Sequence, residues 1–261
     1  MTPSGLRTWG TCTCGSQGAP FDIPDEVEDA VVQVMTYLIE NETAALVIPA
    51  RFASQVHPHY REVMQLLAIQ AADEARHIEV FTRRALLRRE SLALSTVGGQ
   101  QSLKTLVDEP DFSMSSMLLS VMGEGSFLSL LWFLHEVGPD PVTREVAKLA
   151  AHDEARHVAF GLAHLSHHIS EDPSLLGRLA LAIEQRHDSL SSSAGLNQEV
   201  FDALLLMAAG SWELDDLRRG WQRVQELVRH MDDGRRSRLA RLGFGEKEAE
   251  ALSSLHTRNF M

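Results

Sequence analysis

The chain is poor in cysteine and in basic residues, and each shortage excludes a class of protein. Only two cysteines, Cys12 and Cys14, occur in 261 residues, too few for a disulfide framework. They lie in a segment rich in Gly, Ser and Thr, so residues 1–24 are predicted to be a flexible N-terminal segment rather than a metal or redox site. The 24 Lys and Arg against 36 Asp and Glu give a net charge of −12, which disfavours nucleic acid and anionic membranes as partners.

Long apolar runs and strand-like patterns are also missing. No uninterrupted apolar run approaches the roughly 20 residues that cross a bilayer, and residues 1–20 lack the apolar core of a signal peptide. We therefore expect a cytoplasmic protein without a membrane partner. No segment alternates apolar and polar residues with a period of two, so the sequence predicts an all-α fold.

Apolar residues instead recur at intervals of three and four, which is typical of helices with one buried face. This pattern predicts helices over about 25–53, 59–90, 112–137 and 141–168, with further helices over 173–193, 197–209, 214–232 and 246–257. Residues 95–110 are predicted to be a crossover or a loop, in which a short helix could form. Residues 25–170 would form a four-helix core, and residues 171–261 a helical extension packed on that core within the same domain.

One five-residue sequence, Asp-Glu-Ala-Arg-His, occurs twice in the chain, at 73–77 and again at 153–157. On a helix, a Glu and a His three residues apart lie one turn apart on the same face. Each repeat therefore directs one carboxylate and one imidazole to a single point: Glu74 with His77, and Glu154 with His157. Two such helices facing each other would enclose a pair of metal ions.

The other two core helices each place an acid among apolar residues. Glu124 lies in the apolar stripe of the third helix, and Glu42 lies in that of the first, while Glu40 is the alternative on a neighbouring face. Each acid precedes the Glu of a repeat by about 30 residues, the length of one helix out and back, so it ends level with that repeat. An acid on a buried stripe is costly unless it is paired or binds a metal.

This pattern resembles the ferritin-like di-iron carboxylate superfamily, in which two helices each supply a Glu and two others each supply Glu-x-x-His. The resemblance covers about residues 28–168, and the D-E-x-R-H form is similar to bacterial multicomponent monooxygenases, acyl-carrier desaturases and related oxidases. It implies a four-helix bundle that holds two iron ions, or one manganese and one iron, with O2 as co-substrate. The implied ligands are Glu42 (or Glu40), Glu74, His77, Glu124, Glu154 and His157.

The resemblance also implies roles around these ligands. Asp73 and Asp153 would orient the histidines, as the chemistry favours, because a metal-bound imidazole needs a partner for its other N–H. Arg76 and Arg156 either hold these aspartates or are ordinary surface arginines. A substrate pocket is predicted from six further residues: Tyr37, Gln70, Phe81, Phe127, Leu128 and His135.

Carboxylate and imidazole ligands without thiolates suit iron or manganese. The resemblance implies an O2-dependent oxidase or oxygenase that hydroxylates, N-oxygenates, desaturates or cleaves a small organic substrate. The alternatives are a ferroxidase, a radical-generating reductase small subunit and a structural ion network. The roughly 90 residues after the core disfavour a ferritin, and Phe81 stands where the reductases usually carry their radical tyrosine. Burying several acids for stability alone is costly.

At three other positions the chain differs from particular enzymes of the superfamily, which disfavours a close match to them. Ala150 stands where arylamine N-oxygenases carry an extra His, and Phe127 and Leu128 stand where monooxygenases often carry a Thr.

A ferredoxin or reductase would supply electrons, and the basic stretch from Arg83 to Arg89 either docks such a partner or complements the helix dipole. The resemblance further suggests a homodimer.

Overall fold

The computed structural model describes residues 23–95, 97–191 and 198–255. Within these ranges the chain forms helices and no strand, so the all-α prediction is confirmed. Cys12 and Cys14, and all but the last two residues of the predicted flexible segment, lie outside the described residues.

Four long helical segments correspond to the predicted core, and further helices, one of them 29 residues long, pack around them. The described elements are α1 (Asp25–Ala53), α2 (Arg61–Ala85), α3 (Val97–Val107), α4 (Phe112–Ser116), a π-helical segment (Met117–Glu124), α5 (Gly125–Val137), α6 (Pro141–Glu171), α7 (Leu175–Ser191), α8 (Gln198–Ala209), α9 (Leu214–Leu242) and α10 (Glu246–Ser254). Helix α4, the π-helical segment and α5 follow one another without a break.

The ends of α9 and α2 differ from the sequence prediction. Helix α9 continues to Leu242, ten residues past the predicted end at 232, because Gly234 lies inside the helix rather than ending it. It stops at Gly243, whose φ of 107° is the left-handed conformation typical of a helix C-terminus. Helix α2 is shorter than predicted, since it begins at Arg61 and ends at Ala85.

The long helices pack side by side, α1 along α2 and α5 along α6, with α2 also contacting α6. Helices α8 and α9 pack against each other and cover α1 and α5. Apolar side chains from α7 to α10 contribute to both buried apolar clusters of the described chain. The helices after residue 171 therefore help to enclose the core rather than standing apart from it.

A buried ion-pair network fastens one end of the helices together. Arg84 of α2 is 1% exposed, and its Nη1 donates to Glu28 Oε1 of α1 at 2.7 Å. Its Nη2 donates at 2.8 Å to Oδ2 of Asp140, the residue that caps α6, and its Nε donates at 2.8 Å to Thr143 Oγ1. One guanidinium therefore joins three helices at the same level.

The remaining arginines of the predicted basic stretch are also paired with acids. Arg89 contacts Asp29 Oδ1 at 2.6 Å and Asp25 Oδ1 at 3.1 Å, while Arg83 contacts Glu79 at 2.7 Å. Arg88 lies 3.7 Å from Asp25. These pairs neutralise much of the positive charge of the stretch from Arg83 to Arg89, which was considered as a binding site for an acidic electron donor.

Two helical stretches are long and apolar enough, by length and composition, to cross a membrane: Asp25–Ala53 and Phe112–Val137. Neither stretch is an uninterrupted apolar run, so neither was predicted from the sequence to cross a membrane. Helices from the core of a folded protein pass the same test, and 67% and 83% of the two apolar windows are buried against other parts of the chain.

Candidate metal centre

The two Asp-Glu-Ala-Arg-His repeats lie on α2 and α6 and face each other across the interior. Their Glu and His side chains are at most 4% exposed, and the His77 and His157 ring centroids are 6.4 Å apart. Within each repeat, the Glu and the His point the same way because residues three apart on a helix share a face. The repeat thus generates two matching halves of one buried cluster.

Each imidazole turns its Nδ1 towards the same pair of carboxylates. His77 Nδ1 lies 3.2 Å from Glu74 Oε2 and 3.4 Å from Glu154 Oε1. His157 Nδ1 lies 3.0 Å from Glu74 Oε1 and 3.4 Å from Glu154 Oε2. Each carboxylate therefore presents one oxygen to each histidine, so each would be within reach of two ions held by the two histidines.

A further acid joins the cluster from each of the other two long helical segments. Glu42 of α1 places its Oε2 3.4 Å from His77 Nδ1, whereas Glu40 is partly exposed and takes no part. The structure thus selects Glu42 from the two alternatives. Glu124, the last residue of the π-helical segment, is 5% exposed, and its Oε1 accepts a 2.7 Å hydrogen bond from Gln70 Nε2.

These six residues fall into two overlapping groups whose ligand atoms lie within 4.8 Å of one another. The groups are Glu42, Glu74, His77 and Glu154, and Glu74, Glu124, Glu154 and His157. Glu74 and Glu154 belong to both groups. The cluster could hold a metal ion in each group, with two carboxylates shared between them.

The hydrogen bonding of the cluster tests whether these residues fit metal ions. Five of its buried atoms make no hydrogen bond in the described structure: Glu42 Oε1, Glu74 Oε1, Glu124 Oε2, Glu154 Oε2 and His157 Nδ1. Glu74 Oε1 and His157 Nδ1 lie 3.0 Å apart but are not aligned for a hydrogen bond. Buried polar atoms are normally paired, so unpaired carboxylate and imidazole atoms directed at one another fit a set of metal ligands.

The pKa values of the cluster residues also favour bound cations. Burial raises the pKa of Glu42 well above its usual range, and the adjacent Glu74 carboxylate raises it further. Burial likewise raises the pKa of Glu124, with Glu154 as the next cause. Burial alone would lower the pKa of His77, but the surrounding carboxylates, Glu42 first among them, raise it well above its usual value. Four buried acids at one point need cations, whether protons or metal ions.

Outside the cluster, each repeat supports the histidine of the other repeat. His77 Nε2 lies 3.3 Å from Asp153 Oδ2, and His157 Nε2 lies 3.2 Å from Asp73 Oδ2. Burial would raise the pKa of Asp153, but hydrogen bonds from His77 and Arg76 hold it below its usual value. A metal ion bound at Nδ1 would leave the proton of each imidazole on Nε2, which would donate it to the aspartate.

The two motif arginines hold this pair of aspartates. Arg76 Nη2 donates to Asp73 Oδ1 and, at 3.0 Å, to Asp153 Oδ2. Arg156 Nη2 donates to Asp153 Oδ1 at 2.6 Å and to Asp73 Oδ2 at 2.9 Å. Of the two roles left open by the sequence, the structure therefore shows the one in which both arginines tie down the aspartates.

A cavity adjoins the cluster on the side of α1, α3 and the π-helical segment. It is narrow and partly open to solvent. The lining residues are Asn41, Glu42, Ala45, Leu103, Leu106, Leu119, Gly123, Glu124, Phe127 and Glu154. Apolar walls thus meet three of the cluster carboxylates in one space.

Of the six residues predicted to form a substrate pocket, Phe127 lines this cavity. Tyr37 lies behind it, with its ring stacked on Phe127 at 5.7 Å between centroids. Gln70 reaches the cluster by donating to Glu124, and Phe81 is buried with its ring 6.1 Å from that of His77. These three residues contact the site or its walls without lining the cavity.

The other two predicted pocket residues lie elsewhere. Leu128 is half-buried and packs against the apolar core rather than the cavity. His135 forms a 3.0 Å hydrogen bond between its Nδ1 and the carbonyl of Arg144, and its ring meets the edge of Trp132. The prediction for His135 relied on its sharing a stripe with Glu124, but eleven residues of helix separate the two by about 16 Å along the axis.

Sequence reasoning missed most of the cavity wall. Leu103 and Leu106 come from α3, in a stretch predicted mainly as loop, and Leu119 comes from the π-helical segment. Asn41, also unpredicted, precedes Glu42 on α1. A polar amide that interrupts the apolar stripe of α1, between Leu38 and Ala45, is the signal that identifies it.

Comparison of the chain with protein-family models and with curated protein sequences returns no match.

Proposed function

We propose that the protein is a non-haem di-iron oxidase or oxygenase that uses O2 to oxidise a small organic substrate. The proposal rests chiefly on the paired ligand groups, in which Glu74 and Glu154 each turn one oxygen to each histidine. Carboxylate-rich sites with one imidazole per ion suit iron or manganese. The ferritin-like bundle is part of this proposal, supported by four helical segments that each supply a ligand.

Each residue of the cluster would have its own role in holding the two ions. Glu42 and His77 would hold one ion, Glu124 and His157 the other, and Glu74 with Glu154 would bridge them. When bound, the iron pair would supply the redox chemistry that reduces dioxygen and oxidises the substrate. Asp73 and Asp153 would keep each histidine proton on Nε2, so that Nδ1 remains free to bind metal.

The cavity supports a small organic substrate over iron storage. Apolar side chains such as Leu106, Leu119 and Phe127 wall a space that also contains Glu42, Glu124 and Glu154. Such a wall excludes water and positions hydrocarbon beside the ions, whereas a route for hydrated iron would call for polar groups. Repeated turnover would draw electrons from a ferredoxin or reductase.

Metal analysis after anaerobic loading with Fe(II) tests the centre. We expect about two iron ions per chain, one for each ligand group. Glu42→Gln should release one of them, because it removes a ligand of the His77 group, while Glu40→Gln is the matched control and should leave the stoichiometry unchanged. Less than about one ion bound per chain would contradict the proposed centre.

Oxygen consumption then separates the candidate activities. An oxidase or oxygenase should couple O2 uptake to a change in an organic compound when a reductant is supplied. A ferroxidase should consume O2 only in proportion to the Fe(II) added. The second outcome would assign the centre to iron handling, the leading alternative.

A further inference from the structure

A largely buried arginine of α9, Arg238, contacts the π-helical segment that carries Glu124. Its Nε donates to the carbonyl of Val121 at 2.7 Å. Burial, followed by the neighbouring cation Arg235, lowers the pKa of Arg238 to about 10, so the side chain stays charged at neutral pH. Among the described residues no carboxylate forms an ion pair with it. A buried charge without a counter-ion costs stability, so Arg238 does not serve the fold as an ordinary ion pair would.

The carbonyl that Arg238 contacts has lost its usual partner. In an α-helix the N–H of Gly125 would donate to the carbonyl of Val121, four residues earlier. Here the partners of this N–H are the carbonyls of Gly123 and of Ser120, which lies five residues earlier, as in a π-helix. Val121 is 0% exposed, so its carbonyl would be buried without that donor if Arg238 Nε did not replace it.

Two glycines leave the space that the guanidinium fills. A Cβ at Gly125, the residue after Glu124, would lie 2.3 Å from Arg238 Nε. A Cβ at Gly234, one turn before Arg238 on α9, would lie 3.0 Å from its Nη1. Glycine inside a helix costs about 1 kcal/mol relative to alanine. Both helices therefore lack a side chain at the place where this guanidinium lies.

A second arginine of α9 contacts the chain just after Glu124. Arg235 is 1% exposed, and its Nη1 donates to Ser126 Oγ at 3.2 Å. The Ser126 hydroxyl in turn donates to the carbonyl of Met122 at 2.7 Å. Helix α9 thus contacts the chain on both sides of Glu124, at Val121 before it and at Ser126 after it.

We propose that Arg238 is a positioning residue, which stabilises the π-helical turn and thereby directs Glu124 into the metal centre. This inference rests on the proposed function, because Glu124 is a ligand of the proposed ion at His157. Without the guanidinium, the carbonyl of Val121 recovers a donor only if the Gly125 N–H returns to it. That return converts the turn to an α-helix and rotates Glu124 about the helix axis, away from the other ligands.

The substitution Arg238→Met keeps an apolar stem and removes the donor to Val121. Competition with a chelator on the Co(II)-loaded full chain measures the affinity of each ion. We expect one ion to bind about tenfold more weakly, as when a residue that supports a metal ligand is lost. In a His157→Ala background, which leaves the ion of the His77 group, Arg238→Met should have no further effect. In a His77→Ala background it should weaken binding again.

The substitution Gly125→Ala tests the same contact from the π-helical side. The new methyl group takes the place of the guanidinium, which is the flexible end of a side chain and moves aside without forcing the helices apart. Val121 then loses its donor although Arg238 is still present. We expect the same tenfold loss, with no further loss in the double variant Gly125→Ala/Arg238→Met, because both changes remove one contact. Losses that add would overturn the inference.

Arg236→Met is the matched control on α9. The side chain of Arg236 is 34% exposed, and it lies 3.8 Å from Asp232 and 4.0 Å from Glu250, neither of which belongs to the π-helical segment. The control removes an arginine two residues from Arg238 and should leave both metal affinities unchanged. Equal weakening in the two variants would assign the effect to a general loss of stability and overturn the inference.

Hydrogen exchange of the metal-free chain separates this inference from the proposed function. Peptides that span Met117–Glu124 should exchange faster in Arg238→Met than in the unaltered chain or in Arg236→Met, because the π-helical turn has lost its support. If the unaltered chain binds less than about one ion, the proposed centre fails, and faster exchange in Arg238→Met alone still supports the hold of Arg238 on the turn. Unchanged exchange, or unchanged metal affinity in Arg238→Met when two ions bind, would overturn the inference.

Discussion

His77 on α2 is oriented by Asp153 on α6, a residue of the other repeat, with 3.3 Å between Nε2 and Oδ2. The reciprocal contact, between His157 and Asp73, is 3.2 Å long. Neither aspartate forms this contact with the histidine of its own repeat. The two halves of the centre therefore depend on each other, since each supplies the support for the ligand of its partner.

Because each aspartate contacts the histidine of the other repeat, Asp153→Asn should act through His77. The amide no longer holds the Nε2 proton of His77, so we expect metal affinity to fall roughly 10- to 100-fold, the usual effect of losing such a partner. The loss should fall on the ion held by His77. In a His77→Ala background, Asp153→Asn should therefore have little further effect, whereas in His157→Ala it should weaken binding again.

Competition with a chelator, followed by Co(II) absorption, measures both effects. The control is Asp108→Asn, which changes an exposed acid that pairs with Lys104 at the surface. The opposite pattern, in which Asp153→Asn is silent only in the His157→Ala background, would mean that each aspartate serves its own repeat.

The ligands of the candidate centre were predictable because helical spacing is regular. Residues three apart share a face, so the repeat alone placed Glu74 with His77 and Glu154 with His157. The crossed contacts of Asp73 were not predictable, because they depend on how far α2 and α6 are rotated about their axes. The choice between Glu40 and Glu42 was open for the same reason.

The cavity was harder to predict than the ligands, because its walls come from irregular parts of the fold. Helix α3 has two glycines at its start, and Gly98-Gly99 argued for a loop. The π-helical segment adds one residue per turn, which shifts every later side chain by about 100° relative to an α-helix. Neither Leu106 nor Leu119 carries a local signal for its position.

The buried network around Arg84 predicts a large loss of stability for Arg84→Leu. The substitution leaves the carboxylates of Glu28 and Asp140 buried without their partner, and breaking such pairs typically costs about 3–5 kcal/mol. Urea unfolding of the two variants Arg84→Leu and Arg83→Leu measures the difference. Arg83 pairs with Glu79 at the surface, so its loss should cost less than about 1 kcal/mol. Similar costs for both would contradict the role assigned to the network.

His164 should make the stability of the protein depend on pH between about 4 and 6.5. Burial, followed by the nearby His168 and His167, lowers the pKa of His164 from 6.5 to about 4. As pH falls through this range the unfolded chain binds a proton that the folded chain does not, so folding stability is lost towards acid pH. The difference between 6.5 and about 4 corresponds to at most about 3.4 kcal/mol.

Unfolding at a series of pH values checks this in His164→Phe, which keeps the ring contact with Phe112. The variant should lose part of the acid-side decline, and its stability should depend less steeply on pH than that of the unaltered chain. His59→Phe changes an exposed histidine of another part of the chain, which contacts Tyr60, and should retain the full slope. An unchanged slope in His164→Phe would assign the decline to other groups.

Gly161 of α6 allows close contact with the π-helical segment that carries Glu124. A Cβ at this position would lie 2.4 Å from Ser120 Cβ, which cannot rotate away, so Gly161→Ala must push the helices apart. We expect a loss of about 1–3 kcal/mol in unfolding free energy and weaker iron binding, because Glu124 moves relative to Glu154. Ser120→Gly removes the clashing atom and should recover part of both losses in the double variant. Additive losses would show that the contact does not set the spacing of the ligands.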